Sequence, residues 1–204
     1  MGKIREALAV IGEGITEKYY IDSIRDCVEL KPTFFRPHDT SIKELENTIN
    51  KCIGLGYTKV FCLIDMDNKI DDGTAEHIAN NRKYLELRRK FHGKVRQCNS
   101  MGTKTFVEML ESYPCTEVFF LYYFKYTTGR QTNEGLKSAL KEMFGYSTKE
   151  TYLMRNPLHG KLSENGCLAQ AIENSKRSMQ ERCAENAHCT YTEIGKLFDD
   201  LKLK

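Results

Sequence analysis

Two short apolar runs, each ending on acidic residues, limit what this chain can fold into more than any other feature. The first reads Ala7-Leu8-Ala9-Val10-Ile11-Gly12-Glu13-Gly14-Ile15-Thr16-Glu17, and the second Lys59-Val60-Phe61-Cys62-Leu63-Ile64-Asp65-Met66-Asp67-Asn68. Runs rich in Val, Ile and Leu, bounded by Gly or turn residues, are the pattern of strands in a parallel sheet covered on both faces. In open α/β sheets the ligand crevice lies just beyond the carboxyl ends of such strands. Glu13, Asp65 and Asp67 are therefore expected together, where they repel one another unless a hard, oxygen-seeking cation neutralises them. The pattern points to a Mg²⁺ site, with Mn²⁺ as the substitute ion.

Length and charge agree without demanding it. A chain of 204 residues buries a full core as one domain, or one domain with a helical extension. A formal net charge of +3 permits nucleic-acid binding without advertising it, so local clusters matter more. The eight cysteines form no CxxC pair and follow no secretory signal, so free thiols in a reducing cytoplasm are expected. Cys183, His188 and Cys189 make only half of a zinc site. The longest apolar stretch, 118–124, is too short to cross a bilayer, and Glu6 stands where a myristoylation signal needs Ser or Thr. A cytoplasmic protein with no membrane attachment is the expectation.

The first half alternates strand and helix. After the strand at 7–12, the segment 16–29 places Tyr19, Tyr20, Ile24, Cys27 and Val28 at helical spacing behind Thr16 as N-cap. A short strand is expected at 33–36, then a helix from Ser41 whose Glu44 completes a capping box. Strand 58–64 delivers Asp65 and Asp67, and 75–92 reads as a charged helix. Both 94–98 and 105–110 read as strands, joined by a turn at 99–102. Pro114 suits a helix start, with Glu117 in the first turn. The remainder reads as helical, over about 132–144, 164–182 and 190–202, joined by Gly- and Pro-bearing turns.

A strand ending in Glu13-Gly14-Ile15-Thr16-Glu17, a second ending in Asp65-Met66-Asp67, and Ser112-Tyr113-Pro114-Cys115-Thr116-Glu117 ahead of an aromatic run together resemble the RloB family, a branch of the Toprim nucleases. The stretches 171–176 and 190–194 are similar to that family's C-terminal helices, so the resemblance spans nearly the whole chain. Two features depart from the family pattern: the stretch between Asp67 and Ser112 is long, and no Trp follows the Pro-Cys-x-Glu motif. The resemblance implies an α/β fold: a Toprim-like Rossmannoid domain over residues 1–125. Its central, mostly parallel sheet of four to five strands is flanked by helices, and residues 126–204 form a helical C-terminal part packed on the same domain.

It also implies chemistry. In Toprim enzymes the first-strand Glu transfers a proton or binds metal, and the Asp-x-Asp pair holds Mg²⁺ during phosphodiester cleavage. Glu13 is then the proton-transfer residue and a ligand, Asp65 and Asp67 are the primary ligands, and Glu117 is a further ligand or orienting group. Residues two apart in an extended segment project to one side, so Asp65 and Asp67 reach one ion while Met66 points away. Glu17, one helical turn beyond Glu13, is a second ligand candidate. The expected function is a Mg²⁺-dependent endonuclease of anti-phage defence, with RNA, notably transfer RNA, preferred over DNA by resemblance alone. No Gly-x-x-x-x-Gly-Lys-Ser/Thr loop is present, so ATP hydrolysis would come from a partner ATPase. Homo-oligomerisation is left open. Arg88, Arg89, Lys94, Lys125, Lys176 and Arg177 are the basic residues expected to follow a phosphate backbone, with Arg130 as an alternative.

Structural readings stand beside these. Asp65-Met66-Asp67-Asn68 also suits an Asx-rich turn, Glu13 a helix N-terminal charge, the aromatics at helical spacing a core, and the basic runs a solvated helix face. His159 reads as a loop residue. The competing function is a non-catalytic Toprim-like subunit that binds nucleic acid or senses it.

Overall fold

A computed structural model describes residues 6–70, 72–97, 102–127, 129–182 and 189–204. It is a three-layer, Rossmann-like α/β fold, the class expected from the sequence. β1 (Leu8–Gly12) is buried at every position and lies between β2 (Thr33–Phe35) and β3 (Lys59–Asp65). β5 (Lys104–Tyr113) lies on the far side of β3, and all four of these strands are parallel. β4 (Lys94–Gln97) pairs antiparallel with the lower half of β5, and a sixth strand, β6 (Tyr191–Thr192), pairs antiparallel with its upper end.

The period-2 alternation of the strands sorts two cores. Ala9, Ile11, Val60, Cys62, Ile64, Val107 and Met109 face α2 (Ile42–Gly54) and α3 (Ala75–Phe91). Val10, Phe61, Leu63 and Leu110 face α1 (Ile15–Ile24), α4 (Glu117–Leu121) and the C-terminal helices. Those helices are α5 (Asn133–Phe144), α6 (Glu150–Arg155), α7 (Leu158–Ser163), α8 (Leu168–Arg182) and α9 (Leu197–Leu201). The aromatic run 118–124 is core: Phe119, Phe120, Tyr122 and Tyr123 are all buried, so stacking on bases is not their role. No helix among the described residues is long and apolar enough to cross a membrane.

Local chemistry explains the boundaries. Ser41 caps α2 by accepting from the Glu44 amide at 3.2 Å, but the box is half made, because the Ser41 amide donates to Asp39 at 2.8 Å instead. α1 stops at Ile24 rather than 29, because residues 27–30 are drawn into extended pairing with the chain end. Val28 bridges Leu203, and the Glu29 and Leu30 amides donate to the Lys202 and Leu201 carbonyls at 2.9 and 3.1 Å. α8 begins at Leu168 rather than 164, the Cys167 amide being committed to the Tyr123 carbonyl at 2.9 Å. The segment expected as a helix at 190–202 is β6, a 3₁₀ turn (Ile194–Lys196) and α9. The upper edge of β5, beyond the reach of β4, would otherwise leave backbone groups unpaired. His159 lies in α7, not in a loop, with Nδ1 3.1 Å from the Tyr123 hydroxyl. The expected turn at 99–102 and two of the half zinc site's residues, Cys183 and His188, fall largely outside the described residues.

Candidate metal and phosphodiester site

The strand order β2-β1-β3-β5 reverses direction at β1, so β1 and β3 flank the topological switch point where α/β sheets bind ligands beyond their carboxyl ends. Glu13 directly follows β1, Asp65 is the last residue of β3, and Asp67 lies two further on. Glu17 occupies the first turn of α1, and Glu117 opens α4, four residues past β5. Three adjacent parallel strands thus deliver all five expected carboxylates to one end of the sheet.

Glycines let α1 come this close. A Cβ on Gly12 would lie 2.8 Å from Glu17 Cβ and 2.9 Å from the Phe34 ring, and one on Gly14 would lie 2.6 Å from Glu17 Oε2. The Gly-Glu-Gly spacing is therefore what seats the Glu17 carboxylate against the strand end. Its Oε2 is buried and has no hydrogen-bond partner among the described residues.

The other carboxylates are held from outside β1 and β3. Asp65 Oδ1 accepts from the Thr116 amide at 2.8 Å and from the Thr116 hydroxyl at 3.0 Å. Asp67 Oδ2 accepts from Asn133 Nδ2 at 2.7 Å, and its Oδ1 from the Asn68 amide at 2.8 Å. Glu117 Oε1 accepts from the Tyr146 hydroxyl at 2.9 Å. Met66, between the two aspartates, turns into the core shared with α2 and α3, as the extended spacing requires. Lys69, which sequence reasoning passed over, is only 3% exposed. Its ammonium lies 3.1 and 3.3 Å from the two carboxylate oxygens of Glu13 and donates to the Asp65 carbonyl at 2.9 Å.

The electrostatics follow from this crowding. Burial, then the charges of Glu17, Glu117 and Glu13, hold the Asp65 carboxyl well above the usual aspartate range. Burial, with the Glu117 and Glu13 charges adding to it, pushes Glu17 up to about 7 against the hydrogen bonds that lower it. Glu13 is also raised by burial and by Asp67, with Lys69 opposing. Among the described residues, no three His, Cys, Asp or Glu side chains converge closely enough to hold a metal ion as they stand.

The expected basic residues are not assembled at this site. Lys94 pairs in register with Val107, next to Phe106, the partner of the first residue of β3, so it lies toward the opposite end of the sheet. It lines, with Leu85, Arg88, Arg89 and His92, a depression of about 480 Å³. Arg88 is drawn to the buried Glu111 at 2.9 Å, Lys176 to Asp199 at 2.8 Å, and Arg177 to Glu181 at 2.8 Å. Lys125 is exposed just after α4. Beside Asp67, by contrast, Arg130, Gln131, Thr132 and Asn133 line a cleft of about 350 Å³ with Tyr113 and Pro114. Signals for the missed residues existed only in part. Thr116 sits inside the Pro-Cys-x-Glu motif and Lys69 four residues after Asp65, whereas Asn133 and Tyr146 arrive from the distant C-terminal half.

A family model described as RloB-like protein matches residues 8–201, from the first residue of β1 to the last of α9. The chain belongs to the RloB-like family. No curated protein and no solved structure matches it. The RloB-like match thus includes every strand of the sheet, all five carboxylates, and the C-terminal helices that supply Asn133 and Tyr146.

Proposed function

We propose that this RloB-like chain is a Mg²⁺-dependent endonuclease that cleaves phosphodiester bonds in nucleic acid, RNA before DNA, in cytoplasmic defence against phage. The observation that carries the reading is the largely buried group of carboxylates at the β1/β3 switch point, with Glu17 Oε2 unpartnered among the described residues and with Asp65 and Glu17 raised by burial first and then by the charges of the neighbouring carboxylates. Groups that resist ionisation together, and offer only hard oxygen donors, fit a hard divalent cation.

Glu13, Asp65 and Asp67 would hold the ion, with Glu17 and Glu117 as further donors. When bound, Mg²⁺ would polarise the scissile phosphoryl group and acidify an attacking water. Thr116 and Asn133 keep Asp65 and Asp67 aimed, and Glu13 is the residue placed to move a proton. Arg130, which lines the same cleft as Asp67, is a cation offered to a phosphate backbone. The RNA preference, the transfer-RNA-like substrate and a partner ATPase come from the family resemblance.

A second reading, a non-catalytic nucleic-acid-binding or sensor subunit, draws on two observations: Lys69 already neutralises Glu13, and among the described residues no three His, Cys, Asp or Glu side chains converge to hold a metal ion. Incubating the purified chain and its Glu13→Ala and Asp67→Ala variants with total RNA or plasmid DNA, in Mg²⁺, Mn²⁺ or EDTA, separates the two. The nuclease reading predicts metal-dependent cleavage that falls on the order of 10²–10³-fold in each variant. Cleavage that survives both substitutions rejects the site.

A further inference from the structure

A lysine buried to 3% exposure is costly unless its charge is fully compensated, and an ammonium has three protons to place. Lys69 places them on the two carboxylate oxygens of Glu13 and the main-chain carbonyl of Asp65. Those groups belong to the last turn of backbone at the ends of β1 and β3, the position argued above for a divalent ion. Mg²⁺ binds oxygens at about 2.1 Å. An ion that close to Glu13 would lie within a few ångströms of the Lys69 ammonium, which already bonds both Glu13 oxygens, so the two cations would repel and compete for that carboxylate.

The structure also provides somewhere for the lysine to go. Lys69 borders a cleft of about 340 Å³ whose wall includes Asp39, Ser41, Asn68, Glu76, Asn80 and Lys83. Rotation about its own side chain toward that cleft would exchange Glu13 for water in a mixed, polar surround.

From this arrangement, and on the reading of the cluster as a metal site, we infer that Lys69 is the resident counter-ion of the carboxylates, filling the place of a divalent cation until one displaces it into the neighbouring cleft. It follows that metal-free protein is folded and electrostatically satisfied at Glu13, and that Mg²⁺ must compete with an internal cation to load the site.

The test is calorimetric titration of Mg²⁺, and separately Mn²⁺, into wild type and Lys69→Met, which keeps the stem and removes the charge. At least tenfold tighter binding to the variant is expected. Equal or weaker binding to Lys69→Met, with the wild type binding, overturns the inference and leaves the metal site standing. Absence of binding to either chain overturns both. Should Lys69→Met fail to fold, amine footprinting of the wild type decides. Lys69 should be protected without metal and acetylated at least tenfold faster at saturating Mg²⁺, while the exposed Lys137 is unchanged. Equal protection of Lys69 with and without Mg²⁺ overturns it.

Discussion

Glu17 shows most directly how a single residue records the crowding of its surroundings. Its carboxyl is pushed up from the ordinary value of 4.5 to about 7, by burial first and then by neighbouring charge. A folded-state value above the unfolded one means that the native protein holds this proton more tightly. The associated stability is full below about pH 4.5 and is lost as pH rises through about 7. A shift of that size corresponds to about 3 kcal/mol. Thermal unfolding in EDTA should therefore show a melting temperature that falls between pH 5 and pH 8, with a smaller fall in Glu17→Gln. Added Mg²⁺ should restore stability more at pH 8, where the carboxylates are ionised, than at pH 5. An identical pH slope in wild type and Glu17→Gln would contradict this account of the residue.

At the scale of elements, the site depends on segments far apart in sequence. α5 supplies Asn133 to Asp67, and the turn after α5 supplies Tyr146 to Glu117. Removing such an orienting partner typically weakens metal affinity by about 10–100-fold. Asn133→Ala should weaken Mg²⁺ binding on that scale with little loss of fold, measured by titration alongside circular dichroism. A different buried acid, Glu111, fastens elements rather than serving chemistry. It accepts from Tyr84 of α3 at 2.7 Å and from Tyr191 of β6 and Arg182 of α8 at 3.2 Å each, and Arg88 lies 2.9 Å away. Burial would raise its carboxyl, but the Tyr84 hydroxyl and the two guanidinium groups outweigh that and hold it below the usual range. Breaking a buried pair costs about 3–5 kcal/mol. With Arg88 and Arg182 each about a third exposed, 37% and 34%, Glu111→Ala should lie near the lower end, read by denaturant unfolding. No change in midpoint would show that the network is ornamental.

For the molecule as a whole, what could be read from sequence was what is encoded locally. The buried strands β1 and β3 announce themselves because a sheet covered on both faces demands unbroken apolar runs, and their ends then place Glu13, Asp65 and Asp67 without further information. Glu117 was legible through its motif. Tertiary structure decided the rest. β6 is two residues long and exists because β5 has an open edge, and the early end of α1 depends on Leu203, 175 positions away, pairing with Val28. Lys69 was illegible for a related reason, since a lysine in a polar turn is ordinarily solvated, and only the folded crowding of acids makes burial favourable. The expected basic contacts failed to assemble because three of them answer to acids of their own surroundings: Glu111, Asp199 and Glu181.

The central claim is that the carboxylates at the β1/β3 switch point hold a divalent cation. Anomalous diffraction from crystals grown or soaked in Mn²⁺ tests it most directly. The account predicts a peak about 2.1 Å from oxygens of Asp65 and at least one of Glu13 and Asp67, with the Lys69 ammonium withdrawn from Glu13. A map with Mn²⁺ bound elsewhere, or with no peak at these residues and Lys69 still in place, would contradict it.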